Sequence, residues 1–238
     1  MNEIKNYGGT NMNKDLKQIN NSKGKSGFTL AEVLITLGII GVVAAMTMPT
    51  LISKYKMSVL KNQFKKAYAN ITNAVNLVQA EYGAPILCRN AVGIGYQYDD
   101  CQMFWDEVFK KLSVIKVCDY TDESCGVQYK TRDEVLAEGG EIINDSCSYF
   151  APFSFAPTIT PKRYQLSDGS SIIQVLHDTH KSYFALDVNG AKGPNKWGYD
   201  VFYLALYANN MNDYTYIRQQ VCAIKEKGGY YPYEFALK

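Results

Sequence analysis

Glu32 stands where a carboxylate is expensive. The twenty residues that follow it, Val33 to Ile52, carry no charge, and an α-helix needs about 20 apolar residues to cross a hydrocarbon core. An acid in such a span costs on the order of 2.5–3.5 kcal/mol on insertion scales and marks a functional position by default. Two kinds of chemistry suit it. The carboxylate can meet a cation brought to the same depth. Alternatively it snorkels to the interface or serves as a first-turn acid, favoured by the helix dipole. Just ahead lie Lys25, Gly27 and Phe28. A secretory signal places its small-residue cleavage site after an apolar core of about 7–15 residues. Here the small residue, Gly27, comes first. A cut at Gly27 would remove a basic leader and keep the hydrophobic helix. Glycine adds no side chain beside a scissile bond and lets the backbone extend into a protease site.

Three other groups of residues have chemistry to offer. Asp187, Asn189 and Asp200, in "DVNGAKGPNKWGYDVF", present hard oxygens among three glycines, a composition that suits Ca²⁺ without the spacing of an EF-hand. The competing reading is a tight Asn189-Gly190 turn whose polar side chains cap the backbone. His177 and His180 are the only histidines. In strand-and-turn sequence they point to opposite sides, and no third ligand is near. Six cysteines, Cys88, Cys101, Cys118, Cys125, Cys147 and Cys222, all follow residue 83, the usage of an exported, oxidised domain. No pair has zinc-site spacing. Fifteen pairings are open, and short loops favour Cys88 with Cys101 and Cys118 with Cys125. There is no nucleophile elbow, P-loop or dinucleotide fingerprint, so we expect no enzyme and no small-molecule substrate.

The elements that position these residues follow from periodicity. Leu51, Tyr55, Leu60, Phe64, Ala67, Ile71, Ala74, Val75 and Val78 recur at three- to five-residue intervals, which predicts helix from about Phe28 to Tyr82, ending at Gly83 with Pro85 beyond. Pro49 falls inside it and predicts a kink. Beyond Gly83, "CQMFWDEVFKKLSVIK" reads as a short amphipathic helix with Phe104, Val108, Phe109 and Leu112 inward. "YQLSDGSSIIQVLHD" reads as two strands about Asp168-Gly169, and "KSYFALDV" and "VFYLALYA" as two more. The expected fold is α+β, a long N-terminal hydrophobic helix packed against an antiparallel β-sheet head. Its parts are 1–27 leader, 28–52 membrane half of the helix, 53–82 amphipathic half, and 83–238 head. The leader holds five lysines against two acids, residues 28–80 five lysines against Glu32, and the remainder 15 basic against 20 acidic side chains. The head is net acidic, so nucleic acid is not an expected partner.

"KSGFTLAEVLIT" resembles the prepilin-type cleavage and methylation motif of type IV pilins and type II secretion pseudopilins. The resemblance rests on Lys25, Gly27, Phe28, Thr29, Leu30 and Glu32 at the mouth of the apolar span. It implies a membrane-embedded prepilin peptidase that cuts between Gly27 and Phe28 on the cytoplasmic side and methylates the new amine of Phe28. It further implies that Glu32 meets that amine on a neighbouring subunit, and that a proline such as Pro49 kinks the spine. Some pseudopilin heads hold calcium in a late loop, which the Asp187–Phe202 stretch is similar to without matching residue by residue. The expected partners are the peptidase-methylase, other pilin or pseudopilin subunits and the inner membrane. The expected topology is a cytoplasmic N-terminus and a periplasmic head that later joins a filament. Head size and cysteine content lean toward a pseudopilin or minor pilin. A filament-borne adhesin or DNA-uptake tip, or a membrane-anchored periplasmic enzyme, are the alternatives.

Overall fold

A computed structural model describes residues 27–82, 100–119, 122, 126–144, 162–178, 181–207 and 216–237. In chain order the elements are α1 (Leu30–Tyr82), α2 (Asp100–Lys111), β1 (Val114–Asp119), α3 (Arg132–Ala137), β2 (Glu141–Ile142), β3 (Lys162–Leu166), β4 (Ser171–Asp178), β5 (Lys181–Asp187), β6 (Val201–Tyr207), β7 (Tyr216–Gln219), β8 (Ile224–Lys225) and α4 (Pro232–Leu237). The chain divides into two compact units, the first ending at Pro49 and the second beginning at Thr50. Pro49 lies inside α1, which stays helical on both sides of it.

In the first unit α1 is apolar on every side and almost wholly exposed. Leu34, Ile35, Leu37, Ile39 and Ile40 each show about three-fifths of their surface. The helix is long and apolar enough to cross a membrane. In the second unit the same helix becomes amphipathic. Leu60, Phe64, Ala67, Ile71, Ala74, Val75 and Val78 are buried, at the helical spacing that lines one face. Leu51 and Tyr55, which the periodicity joined to this stripe, are exposed instead. At about 100° per residue they fall on the opposite side of the helix.

That buried face packs in one cluster with α2 and the sheet. Phe104, Trp105, Val108, Phe109 and Leu112 come from α2, and Leu166, Ile172, Phe184, Leu186, Phe202, Leu204 and Leu206 from the strands. Phe64 sits among Tyr68, Phe202 and Phe235, the ring of Phe202 edge-on at 4.5 Å. The sheet is six-stranded and antiparallel, in the order β1-β3-β4-β5-β6-β7. The "VIK" that reads as a continuation of α2 belongs instead to β1. Ser113, with φ of 53°, turns the chain out of the helix, and the β-branched Val114 and Ile115 then suit a strand.

The sheet has a second buried face, which one-sided patterning does not foretell. All seven residues of β6 are buried. Phe202, Leu204 and Leu206 join the α1 side, whereas Val201, Tyr203, Ala205 and Tyr207 join a separate cluster with Tyr129, Val135, Trp197, Cys222, Ala223 and Ile224. A strand buried on both faces reads as a continuous apolar run, which "VFYLALY" is. The outer cover includes α3 and the two-stranded β2–β8 sheet. Phe64→Ala should cost about 3–5 kcal/mol of stability through the cavity it opens. Urea unfolding of the purified chain measures this; a loss under about 1 kcal/mol would mean that the α1–sheet seam is loosely packed.

Candidate processing and assembly site

Gly27 and Phe28 lie just ahead of α1, and both are exposed, Phe28 at 89%. A side chain at Gly27 would meet no neighbour within 4 Å, so nothing among the described residues shields the bond between them. Thr29 is the residue before the helix. Its hydroxyl oxygen accepts from the Glu32 amide at 3.2 Å, while Glu32 Oε2 accepts from the Thr29 amide at 2.8 Å and from the Thr29 hydroxyl at 2.9 Å. This is a capping box, which satisfies orphan donors at a helix start reciprocally. Its Thr-x-x-Glu signature is present in the sequence and was overlooked there. The two readings of Glu32 are therefore compatible. Oε2 closes the first turn, and Oε1 has no hydrogen-bond partner among the described residues.

The model of the prokaryotic N-terminal methylation motif matches residues 22–48, a stretch that holds Gly27, Phe28, Thr29 and Glu32 and ends just before Pro49. The chain carries the prepilin signature. That signature is the mark of a pilin-like precursor processed by prepilin peptidase, and it implies assembly with other pilin subunits. The motif points to a structural protein, and with the N-terminal apolar helix α1 it fits membrane anchoring followed by incorporation into a filament. No curated protein and no solved structure matches the chain.

The other predicted site residues belong to the head. Asp187 ends β5, Asp200 precedes β6, and Asn189 lies between, so the structure brings the three into one loop. Asp187 Oδ1 accepts from the amides of Asn189 at 3.1 Å and Gly190 at 2.8 Å. Its Oδ2 accepts from the Tyr129 hydroxyl and from Arg163 at 3.0 Å, an ion pair with both side chains buried. Asp200 accepts from the amides of Asn195 and Lys196, each at 2.8 Å. Gly190, at φ of 62°, is required because a Cβ there would stand 2.8 Å from the Gly169 carbonyl. Arg163 and Tyr129 escaped the sequence reading; their partner is far away in the chain and no local pattern announces it.

Calcium is bound by six to eight oxygens. The carboxylates here face N–H groups, a phenol and a guanidinium. Among the loop's side-chain oxygens, Asn189 Oδ1 and Asn195 Oδ1 are buried without a hydrogen-bond partner. The loop is held together by its own hydrogen bonds. Melting temperatures in EDTA and in millimolar calcium should agree within about 1 °C, whereas a ligand at 100 times its Kd would add about 2.7 kcal/mol.

Burial pushes the Asp187 carboxyl up to about 7 against the pull of Tyr129, the amides and Arg163, and nearby Asp200 adds to the rise. Asp200 is itself raised by burial. An acid whose folded-state pKa lies above its unfolded value, near 3.9, binds its proton more tightly when folded. Stability then falls as pH rises between about 4 and 7. Between pH 5 and 7 the loss should be on the order of 2 kcal/mol. Denaturant titrations should show this slope in the native chain and a flatter one in Asp187→Asn.

Of the cysteines, Cys118 and Cys222 are described, and neither is a free thiol. Cys101 is placed by its backbone in α2; Cys88, Cys125 and Cys147 lie outside the described residues, as does His180, while His177 is placed by its backbone in β4.

Proposed function

We propose that this chain is a structural filament subunit, a pseudopilin or minor pilin of a type II secretion pseudopilus or type IV pilus. Prepilin peptidase cuts it between Gly27 and Phe28 and methylates the new amine of Phe28. Residues 1–27 face the cytoplasm before the cut, and the head lies on the far side of the inner membrane. The mechanism is electrostatic and mechanical. Along one helix the four residues from Phe28 to Glu32 rise by about 6 Å. A neighbouring copy shifted by that amount brings its amine alongside Glu32. The pairing offsets the cost of holding the acid in lipid and sets the stagger between subunits.

One observation carries the reading: the methylation motif at residues 22–48 opens a helix whose first half keeps its large apolar side chains exposed. Mass spectrometry of the chain recovered from membranes tests it. The native chain should begin at N-methylated Phe28, and Gly27→Ala should leave a chain that still carries its leader. A native chain that begins at Met1 would overturn the proposal, as would one that has lost α1.

A further inference from the structure

Five lysines follow the apolar span at once: Lys54, Lys56, Lys61, Lys65 and Lys66, with no acid anywhere between Glu32 and Glu81. Lys61 is half-buried and the other four are exposed. None makes an ion pair with a described acid, although the charge of Lys66 acts on Asp168. Positive charge beside the translocated end of a span opposes the usual bias in membrane topology, so it needs a compensating role.

Height and direction identify the partner. A helix rises about 1.5 Å per residue, which places Lys54 and Lys56 about 3 and 6 Å beyond Ile52. The headgroup layer is about 5–7 Å thick on each side of the hydrocarbon. Lys61 stands about 14 Å up, low enough for its long side chain to reach back toward the headgroups. Lys65 and Lys66, at about 20 Å, are beyond the headgroups and the Debye length of about 8 Å. At about 100° per residue, Lys54 and Lys56 point about 160° apart around the axis. A second protein chain docks against one side of a helix, whereas headgroups surround it.

We propose that Lys54 and Lys56, with Lys61 reaching back, form a collar that binds the phosphates of anionic phospholipids in the outer leaflet of the membrane. The collar rests on the membrane-anchoring reading of α1. It fixes the depth of the helix, and its contacts are released when the subunit leaves the bilayer for a filament.

The test is site-resolved acetylation of lysines in the full chain, reconstituted into vesicles of phosphatidylcholine alone or with one third phosphatidylglycerol. Retention after alkaline carbonate extraction confirms insertion first. In the anionic vesicles Lys54 and Lys56 should react about fivefold more slowly, and Lys61 by less. Lys65, Lys66 and Lys192 on the head should be unchanged, and high salt should abolish the difference. Equal rates in the two vesicles overturn the proposal. So does protection that follows one side of the helix and grows with protein density. Lys54, Lys61 and Lys65 share a side within about 40°, and slowing of these three with Lys56 and Lys66 left fast would assign the lysines to a second copy of the chain. Release by carbonate would overturn the anchoring reading itself, and the collar with it.

Discussion

Water cannot be the partner of the first half of α1. From Leu30 to Ile52 its large apolar side chains stand open on all sides, and each is worth about 1.5–3 kcal/mol when fully removed from water. Together they amount to tens of kcal/mol, an order of magnitude above the roughly 3 kcal/mol that one carboxylate costs in lipid. The apolar surface therefore dictates where this segment resides, and Glu32 must be accommodated there. The capping box with Thr29 does part of this inside a single chain, holding one carboxylate oxygen, while the other makes no hydrogen bond among the described residues.

The second half of the same helix meets the opposite condition. Its apolar residues narrow to one stripe, and the sheet and α2 cover that stripe. The sheet then needs a cover for its other face, which comes from chain far away in sequence. Polar contacts anchor that cover. The Trp197 indole donates to the Lys130 carbonyl at 2.8 Å, the Trp197 amide to Glu226 at 3.2 Å, and Lys130 pairs with Glu226 at 2.9 Å. The buried Arg163–Asp187 pair with Tyr129 joins the segment before α3 to β3 and to the end of β5. Removing one partner of such a buried pair typically costs 3–5 kcal/mol, since the other charge is left uncompensated. The network is a fastening of the fold, and it engages the Asp187 carboxylate that the sequence offers as a ligand.

Legibility in the sequence followed the range of the interactions. The long helix, the Asp168-Gly169 turn and strands β3 to β6 were readable because apolar spacing and turn residues act over a few positions. The motif at Gly27, Phe28 and Glu32 was readable for the same reason. Leu51 and Tyr55 were misplaced because intervals of three to five residues drift around a helix, and only the angle accumulated from Leu60 onward shows which side is covered. The far-face cluster was not readable. The continuous apolar run of "VFYLALY" fits burial on both faces but carries no mark of what covers Val201 and Tyr203, and Arg163 reaches Asp187 across strands that only folding brings together.

The central claim is that Glu32 holds copies together through a charge on the adjacent chain. The direct measurement compares native chain with Glu32→Gln, made at matched levels and both verified as cut after Gly27, by amine-reactive cross-linking in intact membranes. The account predicts ladders of cross-linked subunits for the native chain and a drop of about tenfold or more, equivalent to 1.4 kcal/mol, for the neutral variant. Ladders of equal intensity from both would contradict it.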